Sequence, residues 1–69
     1  MNELQAVRKS DKLAARLGAR IDFLTAEIQR VRILRDELAP SLAADAMDNA
    51  RESLGIALTH LVIARDRLR

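Results

Sequence analysis

The sequence predicts an all-α protein in which two antiparallel helices form a hairpin that dimerises into a four-helix bundle. Three observations lead to this fold class. About half of the residues, 49%, are apolar, yet Phe23 is the only aromatic residue, and alanine, leucine, arginine and acidic residues dominate, as is typical of helices. The only proline, Pro40, lies near the middle of the 69 residues. Apolar residues recur every three or four positions on both sides of it.

Helix 1 is expected to end at Leu38, because Pro40 disfavours helical geometry at Ala39 and is tolerated in the first turn of a new helix. The chain is therefore predicted to fold back over residues 39–41. Ser41 is the candidate N-cap of helix 2, which we place at about residues 42–68.

Two starts of helix 1 are consistent with the sequence. Asn2 with Gln5 would cap a continuous helix over about residues 3–38. Ser10 would instead cap a shorter helix over about residues 11–38, preceded by a loose arm. The whole chain is one hairpin domain under either alternative.

Each helix carries one apolar seam with alternating spacings of three and four residues. The helix 1 seam is interrupted at Arg35, which either reaches Asp45 or Asp48 or marks a stutter where Leu34 enters the core. Its other members are Ala14, Leu17, Ile21, Leu24, Ile28, Val31 and Leu38. In the predicted helix 2 seam large and small residues alternate, and its members are Met47, Ala50, Leu54, Ala57, Leu61, Ala64 and Leu68.

Such a short chain rarely gains more than about 3 to 5 kcal/mol from a single core. It has no cysteine and one histidine, so disulfides and the familiar zinc spacings are excluded, and self-association is the expected means of stabilisation. Apolar residues off the helix 2 seam add to this expectation. The predicted oligomer interface comprises Leu54, Ile56, Ala57, Leu61, Val62 and Ile63.

Charge is distributed unevenly along the predicted hairpin. Residues 1–20 and 60–69, which share one end, carry eight basic and three acidic groups, whereas residues 21–59 carry four basic and seven acidic groups. Two copies with their turns at opposite ends would match basic with acidic ends, so we expect an antiparallel homodimer.

Catalysis is not expected, because the sequence lacks a cysteine nucleophile, a glycine-rich phosphate loop and a paired histidine–carboxylate motif. No cofactor or metal is predicted. No apolar run is long enough to span a bilayer and the N-terminus lacks the apolar core of a signal peptide, so we expect a cytoplasmic protein that does not enter a membrane.

Basic residues and one aromatic residue mark the candidate binding surface on helix 1. A phenylalanine between arginines is typical of a protein-contact patch, here Arg16, Arg20, Phe23 and Arg30. The alternative is binding of an anion, RNA or a nucleotide by Arg8, Lys9, Lys12, Arg16, Arg20, Arg65 and Arg67. A third interpretation is that the basic side chains only solvate the helix and that Phe23 packs at the edge of an oligomer.

The plan of two helices, a tight turn and alternating alanine and leucine layers resembles the plasmid copy-number regulators, whose antiparallel four-helix dimers bind paired RNA loops. That resemblance implies an RNA face containing Arg16, Arg20 and Phe23. The stretch ESLGIALTHLVIAR, residues 52–65, is similar to small phage-encoded hairpins that disarm host systems, among them anti-quorum-sensing proteins and sponges for cyclic nucleotides. The leading hypothesis is a non-enzymatic, homo-oligomeric regulator that binds and inhibits or modulates another protein.

Overall fold

A computed structural model describes residues 2–68 of the chain, with side chains from Arg8 to Leu68. It contains two helices, α1 (Asn2–Leu38) and α2 (Leu42–Arg67), which pack against each other as a hairpin. The predicted all-helical hairpin is therefore confirmed. Helix α1 runs without interruption through Ser10, where the shorter alternative would begin.

Ser41 joins the two helices at the turn. Its backbone is extended, and its hydroxyl oxygen accepts a hydrogen bond of 3.2 Å from the Ala44 N–H, which makes Ser41 the N-cap of α2 as predicted. The same hydroxyl donates to the carbonyl oxygen of Leu38, the last residue of α1. One side chain thus satisfies backbone groups that both helix ends leave unpaired.

The hairpin is a thin rod whose Cα atoms span 60 × 14 × 11 Å. Its radius of gyration is 16.6 Å, whereas a compact chain of this length has a radius of about 11 Å. Helix α1 has 37 residues and α2 has 26, so the N-terminal part of α1 extends about 16 Å past the end of α2.

The contact between α1 and α2 follows the predicted seam of helix 1. Ile21 is the most buried side chain of α1, with 9% of its surface exposed, and the seam residues from Ala14 to Val31 are buried or half-buried. Arg35 keeps its seam position and donates from Nε to both carboxylate oxygens of Asp48, at 3.1 and 3.3 Å. Leu34 is exposed, so the stutter is not present.

The predicted seam of helix 2 is partly wrong. Ala57 and Ala64 face solvent, whereas Leu58, Val62 and Arg65 lie half-buried against α1. Helix α2 is therefore rotated relative to the expectation. The physical reason is that burying leucine and valine removes more apolar surface from water than burying alanine.

Two residues at the turn end of the hairpin also differ from the predicted seams. Ala44, which the predicted seam omitted, is 3% exposed and is the most buried residue of α2. Leu38, which the predicted seam included, is 42% exposed. Leu38 ends α1 beside the turn, where no residue of α2 covers it.

The hairpin buries little of its apolar surface. Among the described side chains only Ile21 and Ala44 are buried, and no large side chain is fully enclosed. The accessible surface is 5542 Å², compared with about 4,300 Å² for a compact protein of this mass. Neither helix, over its described residues, is long and apolar enough to cross a membrane.

Replacing Ser41 by alanine removes the N-cap and should lower the free energy of unfolding by about 1 kcal/mol. Denaturant unfolding monitored by circular dichroism, at one protein concentration throughout, measures this loss. The matched control is Thr59→Ala, since Thr59 lies exposed in the interior of α2, away from both helix ends, and alanine is the better helix former. Equal stability of Ser41→Ala and the wild type would contradict the capping role.

Gly18→Ala and Gly55→Ala should each raise the free energy of unfolding by about 0.5 to 1 kcal/mol. Both glycines lie inside helices, and a Cβ atom at either position meets no other atom within 4 Å. The same unfolding measurement checks the gain. A loss at either position would mean that another helix approaches the backbone there.

Candidate protein-binding groove

A shallow groove of about 650 Å³ lies where α2 ends against α1. Its apolar lining comes from Leu13 and Leu17 on α1 and from Leu68, the C-cap residue of α2. Its remaining lining residues are Arg16, Ala19, Arg20 and Phe23. The groove therefore combines half-buried leucines, two arginines and one aromatic ring.

The spacing of residues along α1 explains why these side chains meet. Leu13, Arg16, Arg20 and Phe23 follow one another at intervals of three and four residues, so they lie on one side of the helix. Antiparallel packing then brings Leu68 beside them, 45 positions later in the chain than Phe23. The helical spacing is visible in the sequence, but the contribution of Leu68 depends on the register of the two helices.

The exposed surface of Phe23 is the distinctive feature of the groove. Its side chain is 54% exposed, although an aromatic ring normally buries much of its apolar area. Arg16 and Arg20 are exposed beside it, and neither forms an ion pair within the described part of the chain. An apolar ring flanked by two unneutralised cations suits an acidic, amphipathic segment of another protein.

Three of the four predicted partner-binding residues meet in this groove, and the fourth does not. Arg30 lies two helical turns beyond Phe23 and donates from Nη1 to Glu27 Oε1 at 2.7 Å. It is therefore already paired with a carboxylate of its own helix, outside the groove lining.

The residues of the alternative anion-binding surface are distributed over two regions. Arg8, Lys9 and Lys12 lie exposed on the part of α1 that extends beyond α2, and they continue the basic surface of the groove. Arg67 is exposed near the end of α2. Arg65 is different, because it is half-buried in the helix contact and its Nε is buried without a hydrogen-bond partner.

The predicted oligomer interface of α2 is divided between two sides of the helix. Leu54, Leu61 and Val62 are half-buried in the contact with α1. Ile56 and Ile63 lie on the outer side of α2, where 56% and 40% of their surfaces are exposed. Ala57 is also exposed, so part of this set is available to another molecule.

A second open cavity of about 660 Å³ lies near the turn, on the opposite side of the helix contact. Of its lining residues, the sequence pattern points only to Arg35 and Asp48. Its lining is three basic and three acidic residues: Arg32, Arg35, Asp36, Asp48, Arg51 and Glu52. The hydrogen bonds to Asp48 and the charge of its carboxylate raise the pKa of Arg35. Because the opposite charges balance there, this cluster stabilises the turn end and does not form an anion site.

Within the described residues, no group of three or more histidine, cysteine or carboxylate side chains is arranged to hold a metal ion. Comparisons with protein-family models, curated proteins and solved structures find no match to this chain.

Proposed function

We propose that this chain is a non-enzymatic, homo-oligomeric helical hairpin that binds another protein and inhibits or modulates it. The observation that carries the proposal is the convergence of Arg16, Arg20 and Phe23 around an apolar floor in one groove. Exposed aromatic and arginine side chains in a shallow apolar pocket are the residue types that contribute most to protein-protein binding energy.

Self-association is supported by the surface that the hairpin leaves exposed. The excess of accessible surface over that of a compact protein is about 1,200 Å², which exceeds the roughly 800 Å² that each partner buries in a specific interface. Dimerisation of two hairpins into a four-helix bundle would cover part of this surface. Small phage-encoded inhibitors of host regulators are the class of protein that this proposal suggests.

The partner is expected to bind less well after Phe23→Ala. Removal of a central aromatic side chain from an interface commonly costs at least 2 kcal/mol, which corresponds to roughly a thirtyfold loss of affinity. Affinity capture from native host lysate, followed by mass spectrometry, would compare the partner retained by the variant and by the wild type.

Ile33→Ala is the matched control for this experiment. Ile33 is on the same helix and is 58% exposed, close to the 54% of Phe23, but it does not line the groove. Both variants must retain the helical circular dichroism spectrum. Equal capture by Phe23→Ala and Ile33→Ala would contradict the proposed groove.

RNA or nucleotide binding is the second candidate function, and the exposed Arg8, Lys9 and Lys12 favour it, since they extend the basic surface of the groove along α1. Counterion release makes phosphate binding fall steeply with salt. If the candidate is correct, capture should be lost after nuclease treatment or should weaken by more than tenfold between about 50 and 200 mM salt. Nuclease-resistant capture that changes little with salt favours the protein partner.

A further inference from the structure

A second row of residues on α1 follows the spacing of a helix contact and lies beside the contact with α2, not within it. Its members lie at alternating intervals of three and four residues, and we call them the second seam: Arg20, Phe23, Glu27, Arg30, Leu34 and Glu37. Each member except Glu37 immediately precedes a residue that is buried or half-buried in the α1–α2 contact, so the second seam is rotated by about 100° from that contact. Phe23 and Leu34 are its apolar members, and they are 54% and 49% exposed.

The order of residue types makes the second seam complementary to the second seam of another copy that runs in the opposite direction. Read from the N-terminus, it is basic, apolar, acidic, then again basic, apolar, acidic. Two copies of α1 can run antiparallel about a two-fold axis between Ile28 and Gln29. Each basic residue of the second seam then faces an acidic residue, and each apolar residue faces an apolar residue. The resulting pairs are Arg20 with Glu37 and Phe23 with Leu34, and the two-fold axis repeats each pair. The Glu27–Arg30 ion pair within each helix lies next to the axis, where it faces its own symmetry mate.

Helix α2 presents a matching surface on the same side of the hairpin. The residues that precede its contact register are small and uncharged, apart from one histidine. We call them the alanine seam: Ala43, Ala46, Ala50, Ser53, Ala57, His60 and Ala64. All except Ala50 are exposed. In both helices the row lies one residue before the contact register. Because α1 and α2 are antiparallel, the second seam and the alanine seam therefore lie on the same side of the hairpin, the side on which Leu68 borders Phe23.

The centres of the two rows lie within one residue of each other across the hairpin. The Arg35–Asp48 contact sets the register of the hairpin and places residues 28 and 29 of α1 beside residues 54 and 55 of α2. The alanine seam, from Ala43 to Ala64, is centred on residues 53 and 54. A single two-fold axis can therefore pass through the middle of both rows.

We propose that a second copy of this chain docks antiparallel on these two rows, with the second seams in contact with each other and the alanine seams in contact with each other. The paired surfaces are about 30 Å long and about 20 Å wide, a footprint of about 600 Å² per copy that is on the scale of a specific interface. Alanines allow the two α2 backbones to approach closely. The contact is isologous, so it closes at two copies.

The proposal deepens the homo-oligomeric part of the proposed function and adds a form of regulation. The same register that pairs Arg20 with Glu37 brings the turn of the second copy over the groove. Phe23 is then covered by Leu34 of the second copy. A partner protein and the second copy therefore compete for the groove, and the concentration of the chain controls how much of the groove is available.

The test is a charge exchange between the two ends of the second seam, measured by sedimentation equilibrium of the full chain. Arg20→Glu should weaken the dimer about tenfold, because it sets like charges against Glu37 at two symmetric contacts. Glu37→Arg should weaken it similarly. The double variant Arg20→Glu with Glu37→Arg should recover dimerisation to near the wild-type Kd, and an equimolar mixture of the two single variants should form heterodimers.

Lys9→Glu is the control, since it changes the net charge as Arg20→Glu does but lies outside both rows. The register is wrong if the double variant loses as much dimer affinity as the two single variants together. It is also wrong if Lys9→Glu weakens the dimer as strongly as Arg20→Glu. The wild-type chain should also be measured at a concentration roughly 100-fold above the low micromolar range, where even a weak dimer would be populated. If the chain is still monomeric there, self-association itself is overturned. Species larger than a dimer overturn the closed contact. None of these outcomes changes the comparison of partner capture by Phe23→Ala and Ile33→Ala, which tests the partner groove separately.

Discussion

Two cylinders side by side touch along one line, and the rest of this structure depends on that geometry. A single line of contact buries Ile21 and Ala44 and leaves the other described apolar side chains half-buried or exposed. The absence of cysteine rules out disulfides as an additional constraint. Apolar residues outside the first line of contact, such as Phe23 and Leu34, remain exposed to solvent unless another molecule covers them.

The two sides of the hairpin are chemically different. On one side, Arg35 and Asp48 hold the helices in register within a cluster of balanced charges. On the other side lie the groove, the second seam and the alanine seam, where exposed apolar and small residues predominate. Association of two copies through this second side would be isologous, which is the condition for a closed dimer and not an open filament.

The groove would connect the proposed self-association with the proposed regulation of a partner protein. Arginine and phenylalanine side chains that suit an acidic, amphipathic partner also suit the acidic turn end of a second copy, which carries Leu34 and Glu37. A surface that serves both purposes links binding activity to protein concentration by mass action. In this arrangement no chemical reaction is needed for the chain to modulate another protein.

The sequence by itself determined the two helices, the turn at Pro40 and the Ser41 cap, because each depends on local geometry. For Arg35 it left three alternatives, namely Asp45, Asp48 or a stutter at Leu34, and only the structure selects Asp48. The sequence did not determine the rotation of α2, since Leu54, Leu61 and Leu68 are half-buried in the observed rotation and also belong to the predicted seam. Only tertiary packing decided that Leu58 lies against α1 and Ala57 faces outward, because burial of the larger side chain removes more apolar surface from water. Packing also brought Leu68 to Phe23, a contact that depends on the register of the entire hairpin.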